Sequence, residues 1–144
     1  MYRKNHCGLA SRGLVILGVL ALACAWLFAI GVRPASAADV NKEVSTAAQH
    51  AGLAGSSKDM KTTQMHLHHV VNCLVGPQGE GFDASFGNPC DGQGSGAISD
   101  TTDTGKKASL QQALQQTNEG LKQSDMAAAQ KSATAVQVLL KGTM

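Results

Sequence analysis

Three histidines and a cysteine fall close together in the run Met65-His66-Leu67-His68-His69-Val70-Val71-Asn72-Cys73. Imidazole nitrogen and thiolate sulfur are ligands that suit zinc and copper. On a helical wheel at about 100° per residue, His66, His69 and Cys73 cluster within about 60° of one another. They lie nearly opposite the apolar stripe Met60, Gln64, Leu67, Val71 and Leu74. His66 and His69 are three residues apart, and His69 and Cys73 four, so neighbouring Cβ atoms stand roughly 5–6 Å apart, close enough to share an ion. His68, Met65 and Asn72 point to the other side, with His68 nearest the core edge.

What Cys73 does depends on Cys90 and on the compartment. Residues 1–37 read as an export signal: Arg3, Lys4 and Arg12, an apolar run from Leu14 to Val32, then the small-x-small site Ala35-Ser36-Ala37. The competing reading is an uncleaved membrane anchor, since the run approaches the roughly 20 residues that span a bilayer. Cys24 does not fit a lipoprotein box, because Ala21 occupies the position of its large apolar residue. The exported part, residues 38–144, then holds two cysteines. In an oxidising space the expectation is a Cys73–Cys90 disulfide, worth roughly 3 kcal/mol by chain entropy. With both thiols reduced, His66, His69, Cys73 and Cys90 would instead form a four-ligand zinc or copper set.

With the disulfide formed, His66 and His69 remain as the metal candidates, with a loop carboxylate such as Asp83 or Asp91 in reserve. The plain alternative is solvated histidines near the negative pole of a helix, holding nothing specific. His68 and His50 are further reserves. If the first hairpin turns near residues 55–56, His50 faces about residue 61, and His66 lies roughly 7–8 Å further along the axis. Across an interaxial gap of about 8–10 Å, sharing an ion with His66 is a stretch, and sharing one with His69 is not expected.

Other chemistry is weaker. Asp91 to Thr102 has Asp, Gly and Ile at three positions of a calcium loop, but Gln93 and Thr102 replace two of its ligands. No Cys-x-x-Cys-His run exists for covalent haem. Gly92-Gln93-Gly94-Ser95-Gly96 lacks the lysine and the preceding strand of a phosphate loop. No Ser-His-Asp set or carboxylate pair can be proposed, so the chain does not read as an enzyme.

The elements that must position these groups are helical. Val40, Val44, Ala47, Ala48 and Ala51 predict a helix over about 40–54, ended by Gly52 to Ser57, where Ser56 and Asp59 resemble a capping box. A second helix runs to about Val75, stopped by Gly76-Pro77. A glycine-rich loop covers 76–104. A third helix spans about 105–122, through Leu110, Ala113, Leu114, Thr117 and Leu121. Ser124 or Asp125 caps a fourth over about 125–141, through Met126, Ala129, Ala133, Val136 and Leu140. The similar turns at Gly52-Leu53 and Gly120-Leu121 suggest two hairpins. The expected fold is all-α: an up-down four-helix bundle with a long disulfide-pinned loop between the second and third helices.

The chain's net charge of +2 arises from the export segment, whose Arg3, Lys4, Arg12 and Arg33 contribute +4. Residues 38–144 carry eight lysines against ten Asp or Glu, a net charge of −2. No basic patch is left for nucleic acid. The same residues lack Trp and Tyr, the favoured anchors of protein interfaces. A membrane association is expected only if the first segment is uncleaved.

The layout, through Leu110-Gln111-Gln112-Ala113-Leu114, Gly120-Leu121 and Ala129 to Leu140, resembles the small periplasmic metal-binding four-helix proteins of bacteria. That resemblance implies a periplasmic metal binder. Those proteins carry histidines through both hairpins, whereas here the last two helices have none, which leaves one local site. The functional expectation is a periplasmic or secreted protein binding one copper or zinc ion at His66 and His69. Its rival is a non-catalytic module presenting Phe82, Phe86 and Ile98 on the 76–104 loop to a protein partner.

Overall fold

Each of the four long helices begins at an aspartate whose carboxylate accepts a hydrogen bond from the backbone N–H three residues on. Asp39 accepts from Lys42, Asp59 from Thr62, Asp103 from Lys106 and Asp125 from Ala128, at 2.8–3.0 Å. Such caps satisfy one of the free N–H groups that every helix start leaves over. The computed structural model describes residues 38–144. The expected export signal, its cleavage site and the alternative anchor all fall at residues 1–37, outside the described residues.

In chain order the elements are α1 (Val40–Ser56), α2 (Met60–Val75), a 3-10 turn (Ala84–Phe86), α3 (Ala97–Asp100), α4 (Thr104–Leu121) and α5 (Met126–Lys141). Among the described residues there is no strand, and no helix is long and apolar enough to cross a membrane. The all-helical expectation holds, and the packing is compatible with a helical bundle. α1 packs along α2 and α5, while α4 packs along α5 and α2.

Two boundaries differ from the sequence reading, and both matter for the site. α1 continues to Ser56 rather than stopping near residue 54. α2 starts at Met60, capped by Asp59 instead of a serine. The carboxylate of Asp59 takes both the Thr62 N–H and the Thr62 hydroxyl, which fixes the helix start there. The hairpin therefore turns about two residues later than the composition of Gly52 to Ser57 suggests.

The core is small-residue rich. Val44, Ala47, Ala48 and Ala51 of α1 meet Val70 and Leu74 of α2, with Leu110, Ala113, Val136 and Leu140 from α4 and α5. A second, smaller cluster of Ala54, Leu67 and Ala133 closes the end near the first turn. The fully buried alanines at 47, 51 and 54 let α1 and α2 lie close, because interaxial distance follows side-chain size. On α2 the buried face is Thr63, Leu67, Val70, Val71 and Leu74, rotated from the expected stripe, so Met60 and Gln64 lie at its edge.

The 76–104 segment is structured by its own contacts. Cys73 and Cys90 are joined, with Cα atoms 5.2 Å apart. The reduced four-ligand set is therefore not the state of this structure, and the pairing expected from two cysteines is the one formed. α3 adds Ala97 to the main core, and Ile98 packs against it. Where the segment passes the end of α2, two glycines meet. A Cβ on Gly76 would overlap the backbone of Ser95, and one on Gly96 that of Val75. Both also have positive φ, +67° and +117°, conformations open to glycine and costly for other residues.

Candidate metal site

His50 of α1 lies on a stripe with Glu43, Ala47 and Ala54, all facing inward and spaced by threes and fours. The close α1–α2 approach brings its ring against two rings of α2. His50 Nδ1 stands 3.1 Å from His66 Nδ1 and 3.2 Å from His69 Nδ1. One nitrogen from each of the three imidazoles lies within 4.8 Å of the other two, and the group is one that could hold a metal ion.

The sequence reading made an ion shared with His66 a stretch, did not expect one shared with His69, and kept His50 in reserve; the structure places it directly beside both. The later turn moves the residue opposite His50 from about 61 to 66, five residues, which is about 7–8 Å along the helix. That is the whole of the expected offset.

His69 shows how the nitrogens are assigned. Its Nε2 is 2.7 Å from the carbonyl oxygen of Phe86. A carbonyl only accepts, so Nε2 carries the proton and Nδ1 is left with its lone pair toward His50. At most one N–H, carried by His50 or by His66, can then lie among the three converging nitrogens. A metal cation, by contrast, satisfies all three at once. Nitrogen atoms about 2.0–2.1 Å from a tetrahedral zinc sit roughly 3.3 Å from each other, close to the two spacings found.

Two of the three rings, His50 and His66, disfavour protons. Burial pulls His50 down to about 4, and the nearby His69 and His66 rings add to the effect. His66 is lowered by burial first and by His69 second. Neutral imidazole is the form that ligates, so these shifts keep His50 and His66 ready as donors near neutral pH.

The other sequence candidates do different work. His68 stacks flat on Phe86, with ring centroids 3.8 Å apart and planes 6° from parallel. It is absent from the ligand group. Its pKa is lowered by burial, partly opposed by Asp83. Asp83 caps the 3-10 turn, accepting from the Ser85 N–H and hydroxyl at 2.9 and 2.6 Å. Those bonds hold its carboxyl below the ordinary range. Asp91 is exposed and joins no ligand group. Phe82, Phe86 and Ile98 are all partly covered rather than displayed.

Asn72 escaped the sequence reading. Fully buried, its amide nitrogen donates to the carbonyls of Asp83 and Gly87 at 2.8 and 2.6 Å, and its oxygen accepts from the Asp83 N–H at 2.9 Å. Asn72 and the disulfide at Cys73, one residue on, thus clamp the loop that delivers the Phe86 carbonyl to His69. An asparagine one turn after His68 was the available signal.

Glu43 was also missed. It is 1% exposed; Oε1 accepts from the Gly96 N–H at 2.9 Å, while Oε2 has no hydrogen-bond partner. Burial raises its pKa to about 7, with Asp100 and Asp39 adding to the rise and the Gly96 bond opposing it. A buried carboxyl in this setting holds its proton to higher pH than an exposed one, because the charged form is poorly solvated. No protein-family model, curated protein or solved structure matches the chain.

Proposed function

We propose that this is a small exported protein that binds one transition-metal ion, zinc or copper, through His50, His66 and His69. The observation that carries the proposal is the convergence of three imidazole nitrogens from two helices, with His50 Nδ1 at 3.1 and 3.2 Å from its neighbours. An all-imidazole set suits zinc and copper better than calcium or magnesium, which take oxygen ligands. The disulfide is compatible with an oxidising compartment, and the proposed location is the periplasm or outside the cell. Within the same proposal, the four long helices form an up-down bundle of two hairpins, like the small periplasmic metal-binding proteins that the sequence resembles. In this proposal the protein acts by holding the ion, and no catalytic step is assigned to it.

The rival, a module that presents its loop to a partner, has less support. Ile98 packs against the main core, the Phe86 ring is stacked on His68, and the Phe86 carbonyl is bonded to His69.

Titration calorimetry with zinc and copper on the single variants His50→Ala, His66→Ala, His69→Ala and His68→Ala is the test. One equivalent should bind, and each of the first three changes should remove most of the affinity while His68→Ala keeps it. Binding that survives loss of His50, or no binding by the unaltered protein, refutes the assignment.

A further inference from the structure

The three imidazoles leave a metal ion short of donors and of negative charge. Among the described residues, no fourth His, Cys, Asp or Glu joins the group. The sulfurs of Cys73 and Cys90 are bonded to each other, so neither is a thiolate. The Asp83 carboxylate is occupied by Ser85, and Asp91 is exposed and outside the group. Zinc-type ions prefer four donors, and sites with three protein ligands keep the last position for a water or an exogenous ligand.

Charge points the same way. Coordinated imidazoles are neutral, so a divalent ion held by three of them keeps both positive charges. No protein carboxylate of the group neutralises either charge. A bound ion of that kind favours an anionic donor and, with none present, draws one from water as hydroxide. His50, His66 and His69 are each only partly buried, so the group is not sealed inside the core.

We propose that the metal bound by His50, His66 and His69 keeps its remaining coordination position for a small exogenous monoanion, with hydroxide from water in its place when no other is present. This rests on the metal-binding reading and adds the class of ligand that the loaded site takes.

Cobalt(II) tests it, because its visible bands report coordination. The protein would be loaded with one equivalent of cobalt, desalted and titrated with sodium azide at neutral pH. The expected result is a saturable change in the visible spectrum at one azide per cobalt, reversed by removing the azide. A cobalt spectrum that ignores azide overturns the proposal while leaving the metal site intact. A spectrum altered instead by Met65→Leu does the same, because it assigns the fourth position to the thioether one turn before His69. If no cobalt is retained after desalting, this inference falls, and absence of zinc and copper binding in the calorimetry removes the metal-binding reading with it.

Discussion

His69 and Phe86 are joined by a 2.7 Å hydrogen bond from the imidazole Nε2–H to the backbone carbonyl. One residue comes from the end of α2 and the other from a loop that α2 itself grips through Asn72 and Cys73. The bond sets both the tautomer and the orientation of the ring. Histidine ligands usually rely on such an outer partner, whose loss weakens metal binding by roughly ten- to a hundredfold.

Asn72→Ala should therefore act at a distance. Three partly buried hydrogen bonds disappear, leaving two loop carbonyls and an N–H to find water, at a cost of about 2–3 kcal/mol. Urea unfolding should show that loss, and zinc affinity should fall by about tenfold or more as the Phe86 carbonyl loses its position. An Asn72→Ala protein that is less stable but binds zinc as before would separate the loop from the site.

Reduction gives a related expectation. The denatured protein should expose the Cys73 and Cys90 thiols only after treatment with a reductant, and the reduced form should melt at lower temperature. The chain-entropy estimate for a separation of 17 residues is about 3 kcal/mol. Two free thiols in untreated protein would contradict the bond.

Glu43 predicts a pH effect. Its carboxyl has an ordinary pKa of 4.5 in the unfolded chain and about 7 in the fold. Between those values the folded protein keeps a proton that the unfolded chain has released, so stability falls as pH rises through the window. Below the lower value this effect is absent, and above the upper one it is complete. Glu43→Gln keeps an acceptor for the Gly96 N–H and cannot ionise. Its stability relative to the parent should improve from pH 4.5 to 7 and then level off, by a gain on the order of 3 kcal/mol. Parallel stability curves would show that Glu43 is already charged in the fold.

Gly96→Ala should lower stability by about 2 kcal/mol or more. The residue has φ of +117°, and an added Cβ would run into the carbonyl of Val75. Strained backbone alone costs about 1–3 kcal/mol. Thermal melting is the readout, and a change below about 0.5 kcal/mol would mean that the loop shifts freely past α2.

Much of the architecture is local and so was readable in the residues. The spacing of Leu110, Ala113 and Thr117, and of Ala129, Ala133, Val136 and Leu140, marks the inward faces of α4 and α5 as they stand. Gly76-Pro77 ends α2 at Val75 because the one accepts a positive φ and the other cannot continue a helix. Cys73 and Cys90 pair because they are the two cysteines of residues 38–144. His66 and His69 share a face by helical period alone.

His50 needed the tertiary structure. Which residues face each other across a hairpin depends on where the turn is centred, and an error there doubles across the pair. Asp59 and Ser56 compete as caps on similar terms, so local propensity leaves the centre open by a few residues. The choice of Asp59 sets His50 opposite His66. Ala47, Ala51 and Ala54 then bring the helices close enough for the rings to touch. Glu43 and Asn72 are polar residues in inward positions, and only the returning loop, with Gly96, Asp83 and Gly87, supplies their partners. Those contacts span 11 to 53 residues of chain, a range over which helical periodicity carries no information about which groups will meet.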